Sequence, residues 1–172
     1  MSALAEKLMV APVNETNGYD AIHEMGQQRL MQYGFPDLKT EEWKYTPLRV
    51  LEKREFQDPI EATTALPSWP VDGVVLHFEQ GVLTIDPATL PEGVKLSPIS
   101  PDLLGKKDYD QLYGQREGAF GWLNLAKFKQ AWHLEITGDQ TVILATTLSK
   151  AFEAQVHPRL LIDVAANASL KL

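Results

Sequence analysis

From Val74 the apolar periodicity of this chain changes from the spacing of a helix to the alternation of a strand, and that change limits the fold more than any other feature. Before residue 57 the apolar side chains recur three or four apart, and from Val74 they alternate. Between the two parts, Asp58 to Pro70 is broken by Pro59, Pro67 and Pro70 and carries no pattern. It reads as a connector, with Trp69 as a loop anchor over the sheet. Helices followed by strands define the α+β class. The expected division is a helical segment over 1–57 and an α/β module over 58–172.

In the first part, Leu4, Ala5, Leu8 and Met9 share one helical face, and Pro12 to Gly18 interrupts it. Asn17 is the expected N-cap of the next helix, with Asp20 in its first turn. Ile22, Met25, Gly26, Leu30 and Tyr33 form its apolar stripe; Gly34 stands where a C-terminal glycine belongs, and Pro36 stops the chain. The stretch Lys39-Thr40-Glu41-Glu42-Trp43-Lys44-Tyr45-Thr46-Pro47-Leu48 follows. Thr40 is its expected N-cap, Glu41 and Glu42 suit the positive helix end, and Pro47 ends it. Trp43 and Tyr45 are expected to pin this polar segment to a core.

The second part opens with Val74, Leu76 and Phe78 on one strand face and Val75, His77 and Glu79 on the other. Gln80-Gly81 turns the chain and Val82 to Ile85 returns, which is a hairpin. Val94 to Ile99 is a further strand, Asp102 to Tyr109 a polar turn, and Gln111 to Gln130 a helix apolar nearly all round and so buried. Trp132, Leu134 and Ile136 alternate, Gly138-Asp139 turns, and Val142 to Ala145, Arg159 to Val164 and Ser169 to Leu172 read as strands. Short strands parted by small turns fit a parallel coil buried on more than one side. A right-handed β-helix is one such architecture; a sandwich is the other that the pattern allows.

A formal net charge of −7 and a pI near 5.1 argue against nucleic acid as a partner, since phosphate binding needs a concentrated basic face. No cysteine is present, so neither a disulfide nor a thiolate ligand to zinc or to an iron–sulfur cluster can form. Glu6 and Lys7 interrupt the apolar N-terminus, and no apolar run has membrane-spanning length, so neither a secretory signal nor a membrane is expected. The expected location is the cytoplasm.

Constellations with chemistry are sparse. His23, His77, His133 and His157 fall at no ligand spacing, although His77 and His133 sit in strands that could meet. Gly105-Lys106-Lys107 lacks the leading glycine and the hydroxyl residue of a phosphate loop, and no strand precedes Gly114, Gly118 and Gly121 in dinucleotide-fold fashion. Ser97, Ser100 and Ser149 have no nucleophile elbow around them. Glu41 and Glu42 are adjacent and do not face each other across a cleft. No catalytic, cofactor-binding or metal-ligating residue is assigned, and the chain is expected not to be an enzyme.

Gly34-Phe35-Pro36, a short spacer and then Lys39 to Leu48 closely resemble the N-terminal signature of the SufD family of the Suf iron–sulfur cluster assembly system. Val74 to Ile99, with its Gly81 turn and Leu90-Pro91-Glu92-Gly93-Val94, resembles that family's next block, although SufD-like sequences often carry Asn-Gly where this chain has Gln80-Gly81. Gly118-Ala119-Phe120-Gly121-Trp122-Leu123-Asn124 resembles the lead into the family's β-helix. His157 to Val164 and Asn167-Ala168-Ser169-Leu170 resemble its first coils.

The resemblance implies an N-terminal helical segment, then short strands with a buried helix, then the first coils of a right-handed parallel β-helix. It implies a non-catalytic scaffold subunit acting with SufB and the ATPase SufC, with no cofactor held in this chain. The family's partner contacts and proposed cluster ligands lie downstream of this portion. Two copies are expected to associate through the C-terminal strands. The alternative from another class is a small-molecule or carbohydrate binding module presenting Trp43, Trp69, Trp122 and Trp132 on one surface.

Overall fold

The computed structural model describes residues 3–9, 18–56, 72–108, 118–148 and 155–172. The chain packs as two units, Met1–Asp58 with Ser100–Lys129, and Pro59–Ile99 with Gln130–Leu172. Residues 100–129, which the periodicity groups with the strands, belong by packing with the N-terminal helices. The connector reading of Asp58 to Pro70 and the anchor role of Trp69 lie outside the described residues.

The helical unit contains α1 (Ala3–Met9), α2 (Asp20–Tyr33), α3 (Arg49–Glu52), α4 (Pro101–Gly105) and α5 (Ala119–Lys127). Its centre is the contact of α2 with α5. α2 buries Ile22, His23, Gly26 and Leu30. α5 buries Ala119, Trp122, Leu123, Leu125 and Ala126, so it is apolar on nearly every side, as its composition requires. Leu4, Ala5 and Leu8 of α1 complete the core. Gly34 closes α2 at φ 71°, with its N–H on the Leu30 carbonyl.

Three local expectations are corrected. α2 is flanked by Tyr19 with no side-chain cap, and Asn17 lies outside the described residues. Thr40 does precede a short 3-10 helix, Glu41–Trp43, in extended conformation, but its hydroxyl caps nothing in that helix. The hydroxyl instead accepts from the Asp37 N–H at 3.4 Å, while the Asp37 carboxylate takes the Lys39 N–H at 2.9 Å, so an aspartate turn competes for the capping group. Asp102 to Tyr109 begins as helix: Pro101 fixes the first turn of α4, and the Ser100 hydroxyl accepts from the Leu103 N–H at 3.2 Å.

The β unit contains β1 (Val74–Glu79), β2 (Val82–Leu83), β3 (Val94–Pro98), β4 (Ala131–Ile136), β5 (Asp139–Thr147), β6 (Arg159–Val164) and β7 (Ser169–Lys171). They form one sheet in the order β2-β1-β5-β7 and another in the order β3-β4-β6. Leu76, Phe78 and Val142 of the first sheet share one core with Leu96, Leu134 and Ile136 of the second.

The hairpin β1–β2 pairs only Phe78 with Leu83 and Glu79 with Val82. Its two turn residues, Gln80 at φ 51° and Gly81 at φ 84°, both have positive φ, the tight-turn geometry that matches strand twist.

β3 also runs antiparallel to β4, from Val94↔Ile136 to Pro98↔Trp132, and the remaining pairings are parallel. β1 lies along β5 from Val74↔Val142 to Glu79↔Thr147. β4 lies along β6 from Ala131↔Arg159, a sequence offset of 28 residues, and β5 along β7 from Asp139↔Ser169, an offset of 30. The strand–turn–strand unit β4–β5 is thus followed by a second, β6–β7, in parallel register. The class is α+β, with two mixed sheets. Among the described residues, no helix is long and apolar enough to cross a membrane.

Candidate functional site

Trp43, at the end of its 3-10 helix, stacks on Phe120 of α5 with ring centroids 5.5 Å apart and planes inclined by 29°. Phe120 in turn meets Phe35 edge-on at 5.2 Å. Phe35 is buried, Trp43 partly so, and Phe120 stands at the surface. Tyr45 is not an anchor: it is 86% exposed, with only the Lys44 ammonium 5.1 Å from its ring centre. Lys44 itself is paired with Glu41. The segment is therefore pinned by one stacked ring, and Pro47 ends the short helix before Tyr45 can turn inward.

The histidines occupy separate environments. His23 is buried in the helical unit, its Nε2 3.0 Å from the Phe128 carbonyl and its ring edge-on to that of Phe128 at 4.7 Å. Burial pushes its pKa below the ordinary value, opposed by the bond to Phe128 and by the charge of Asp20. His77 in β1 bonds the Thr147 hydroxyl at 2.7 Å and lies 3.2 Å from that of Thr84. His133 in β4 meets the Asp163 carboxylate of β6 at 2.7 Å. His157 lies 3.3 Å from the Gln155 side chain. His77 and His133, expected as a pair that could meet, stand in different sheets with different partners.

Beside His133, Lys95 of β3 is paired with Glu135 of β4 at 2.5 Å, and Glu135 is in register with Asp163. The bond from Lys95 holds the Glu135 carboxyl below the usual carboxylate range. This row of Lys95, Glu135, Asp163 and His133 was not legible in the sequence, because its members come from three strands whose register composition does not specify. Among the described residues, no group of three or more histidine, aspartate or glutamate side chains is placed to hold a metal ion.

A groove of about 540 Å³ opens in the β unit near the starts of β1 and β5. Val74, Val75, Ile85 and Leu90 line it together with the polar Thr89 and Thr141, and among the described residues Asp72 is the one ionisable group on its wall. Gln140, also on the wall, donates its amide to the Glu92 carbonyl at 3.2 Å. One carboxylate without a second acid or base supports no acid–base pair there.

Trp122 is fully buried, Trp132 is packed against the β-unit core, and Trp69 lies outside the described residues. No protein-family model matches the chain, and no curated protein matches it.

Proposed function

We propose that this chain is part of a SufD-like scaffold subunit for iron–sulfur cluster assembly, a non-catalytic protein of the cytoplasm working with SufB and the ATPase SufC. The reading rests on the four sequence blocks that resemble that family in its own order. The structural observation that most supports it is the parallel pairing of β4–β5 with β6–β7 at offsets of 28 and 30 residues. Repetition of a strand–turn–strand unit in parallel register is the first step of a parallel β-helix, the architecture that the resemblance implies. In this reading the nascent cluster is cargo, and a chain without cysteine contributes the frame and not the thiolates.

Co-purification tests the reading. The protein expressed from its own gene, together with SufB and SufC, is expected to retain both through an affinity step; recovery of neither would overturn it. The 172-residue chain by itself is expected to keep no cluster after anaerobic incubation with iron and sulfide and then desalting. A stoichiometric cluster left on it would place ligation here and overturn the supporting role. A binding module built on exposed tryptophans has less in its favour, because Trp122 is fully buried.

A further inference from the structure

His23 is an expensive choice for its position. The residue is 5% exposed, in the face of α2 that meets α5, and its ring packs beside Tyr19 and Phe128, with centroids 6.2 Å and 4.7 Å away. The Phe128 carbonyl can only accept, so Nε2 carries the hydrogen and the neutral ring has its free lone pair on Nδ1. A proton arriving there makes a buried cation, and both rings beside it are uncharged. Tyr19, just before α2, and Asp20 and Glu24 within it neighbour His23 in sequence, and of these the exposed Asp20 acts on its charge. The other helices packed on α2 carry Lys127 in α5, Glu6 and Lys7 in α1, and Asp102 in α4, none of which acts on the ring. Lys7 is already bonded to Glu55 at 3.0 Å.

His23 shares its face of α2 with Ile22, Gly26 and Leu30. One turn along α2, Gly26 lies directly against Leu125 and Ala126 of α5, with no side chain to interlock. We propose that His23 is an acid-sensitive latch: protonation of Nδ1 weakens the contact of α2 with α5 around Leu125 and Ala126. This goes beyond the scaffold reading and does not depend on it.

The sign follows from the environment. The folded-state pKa lies below the unfolded value of 6.5, so the contribution of His23 is complete above that value. It is lost as the pH falls from there through the folded pKa. Each unit of depression makes the opening equilibrium about tenfold more favourable at low pH.

Hydrogen exchange on the full chain, at about pH 7.5 and about pH 5.5 and corrected for intrinsic rates, tests this. Protection of α2 and α5 is expected to fall by up to about tenfold between the two pH values, with β1 and β5 unchanged. His23→Gln keeps an amide donor for Phe128 but cannot titrate, and its protection is expected to be equal at both pH values. Equal protection in the native protein, or an acid loss that persists in His23→Gln, would overturn the latch. Should the variant not fold, the native ring decides by NMR. A His23 resonance that titrates below 6.5, in step with the loss of protection, supports the latch, and one that titrates at or above 6.5 overturns it.

Discussion

Gly26 of α2 and Ala126 of α5 approach so closely that a β-carbon on Gly26 would lie 2.7 Å from the Ala126 nitrogen and 2.8 Å from Leu125 Cβ. The two helices meet backbone to backbone, which only glycine allows. In a free helix Gly→Ala is worth about 1 kcal/mol in favour of alanine. Here Gly26→Ala is expected to lower stability instead, by a net of about 1–3 kcal/mol, because α5 must move away. Urea melts of both proteins measure it; a variant as stable as the parent would mean that the helices yield freely.

Trp43→Ala separates an anchor from an ornament. A fully buried tryptophan would cost about 3–5 kcal/mol on truncation. Trp43 is only partly buried and its partner Phe120 is 36% exposed, so a loss of about 1–2 kcal/mol is expected, much of it from the stacked pair. A double-mutant cycle with Phe120→Ala should return a coupling of about 0.5–1.5 kcal/mol. Coupling near zero would show that the two rings merely lie close together.

The signature stretch illustrates what can be read from a sequence and what cannot. Pro47 and the two glutamates foretell a short helix that stops, and it does stop, because these rules act within a few residues. Whether Thr40 caps that helix depends on Asp37, which offers a competing turn, and whether Tyr45 points inward depends on where the helix ends. Likewise β4 stands out by alternation, and β5 to β7 by short runs between turn residues. The parallel pairing that brings Asp163 to His133 does not, since it joins residues 30 apart and shows no local pattern. The assignment of Ala119–Lys127 to the helical unit is hidden for the same reason: an all-round apolar helix must be buried, but its composition does not say against what.

Gln80 carries two costs at once. Its φ of 51° lies in a region that glutamine tolerates less well than asparagine, and its amide is buried with both Nε2 and Oε1 unpartnered. Asn-Gly is the favoured pair for this turn, and the shorter side chain draws its amide back towards the backbone. Gln80→Asn is therefore expected to stabilise the chain by about 0.5–1 kcal/mol, despite the lost methylene. A thermal melt decides: a lower midpoint would show that packing of the longer side chain outweighs the strain.

β6 and β7 each end the strand order of their sheet. β6 is only partly buried along Arg159 to Ile162, and Val164 is 44% exposed. Leu160, Ile162 and Leu170 pack against the core from one side. Their outer backbone edges meet no other strand among the described residues, and an unpaired edge flanked by apolar side chains is a template for another chain. Two copies joined edge to edge by a two-fold axis would pair both edges at once. Leu161 and Val164 can be charged with little harm to the core, since Leu161 alternates with the inward Leu160 and Ile162, and Val164 is exposed. The native chain is expected to dimerise with rising concentration in light scattering, and Leu161→Lys with Val164→Lys to remain monomeric with an unchanged circular dichroism spectrum. A native chain that stays monomeric at high concentration, or a doubly charged edge that still associates, would show that the two strands are not where copies meet.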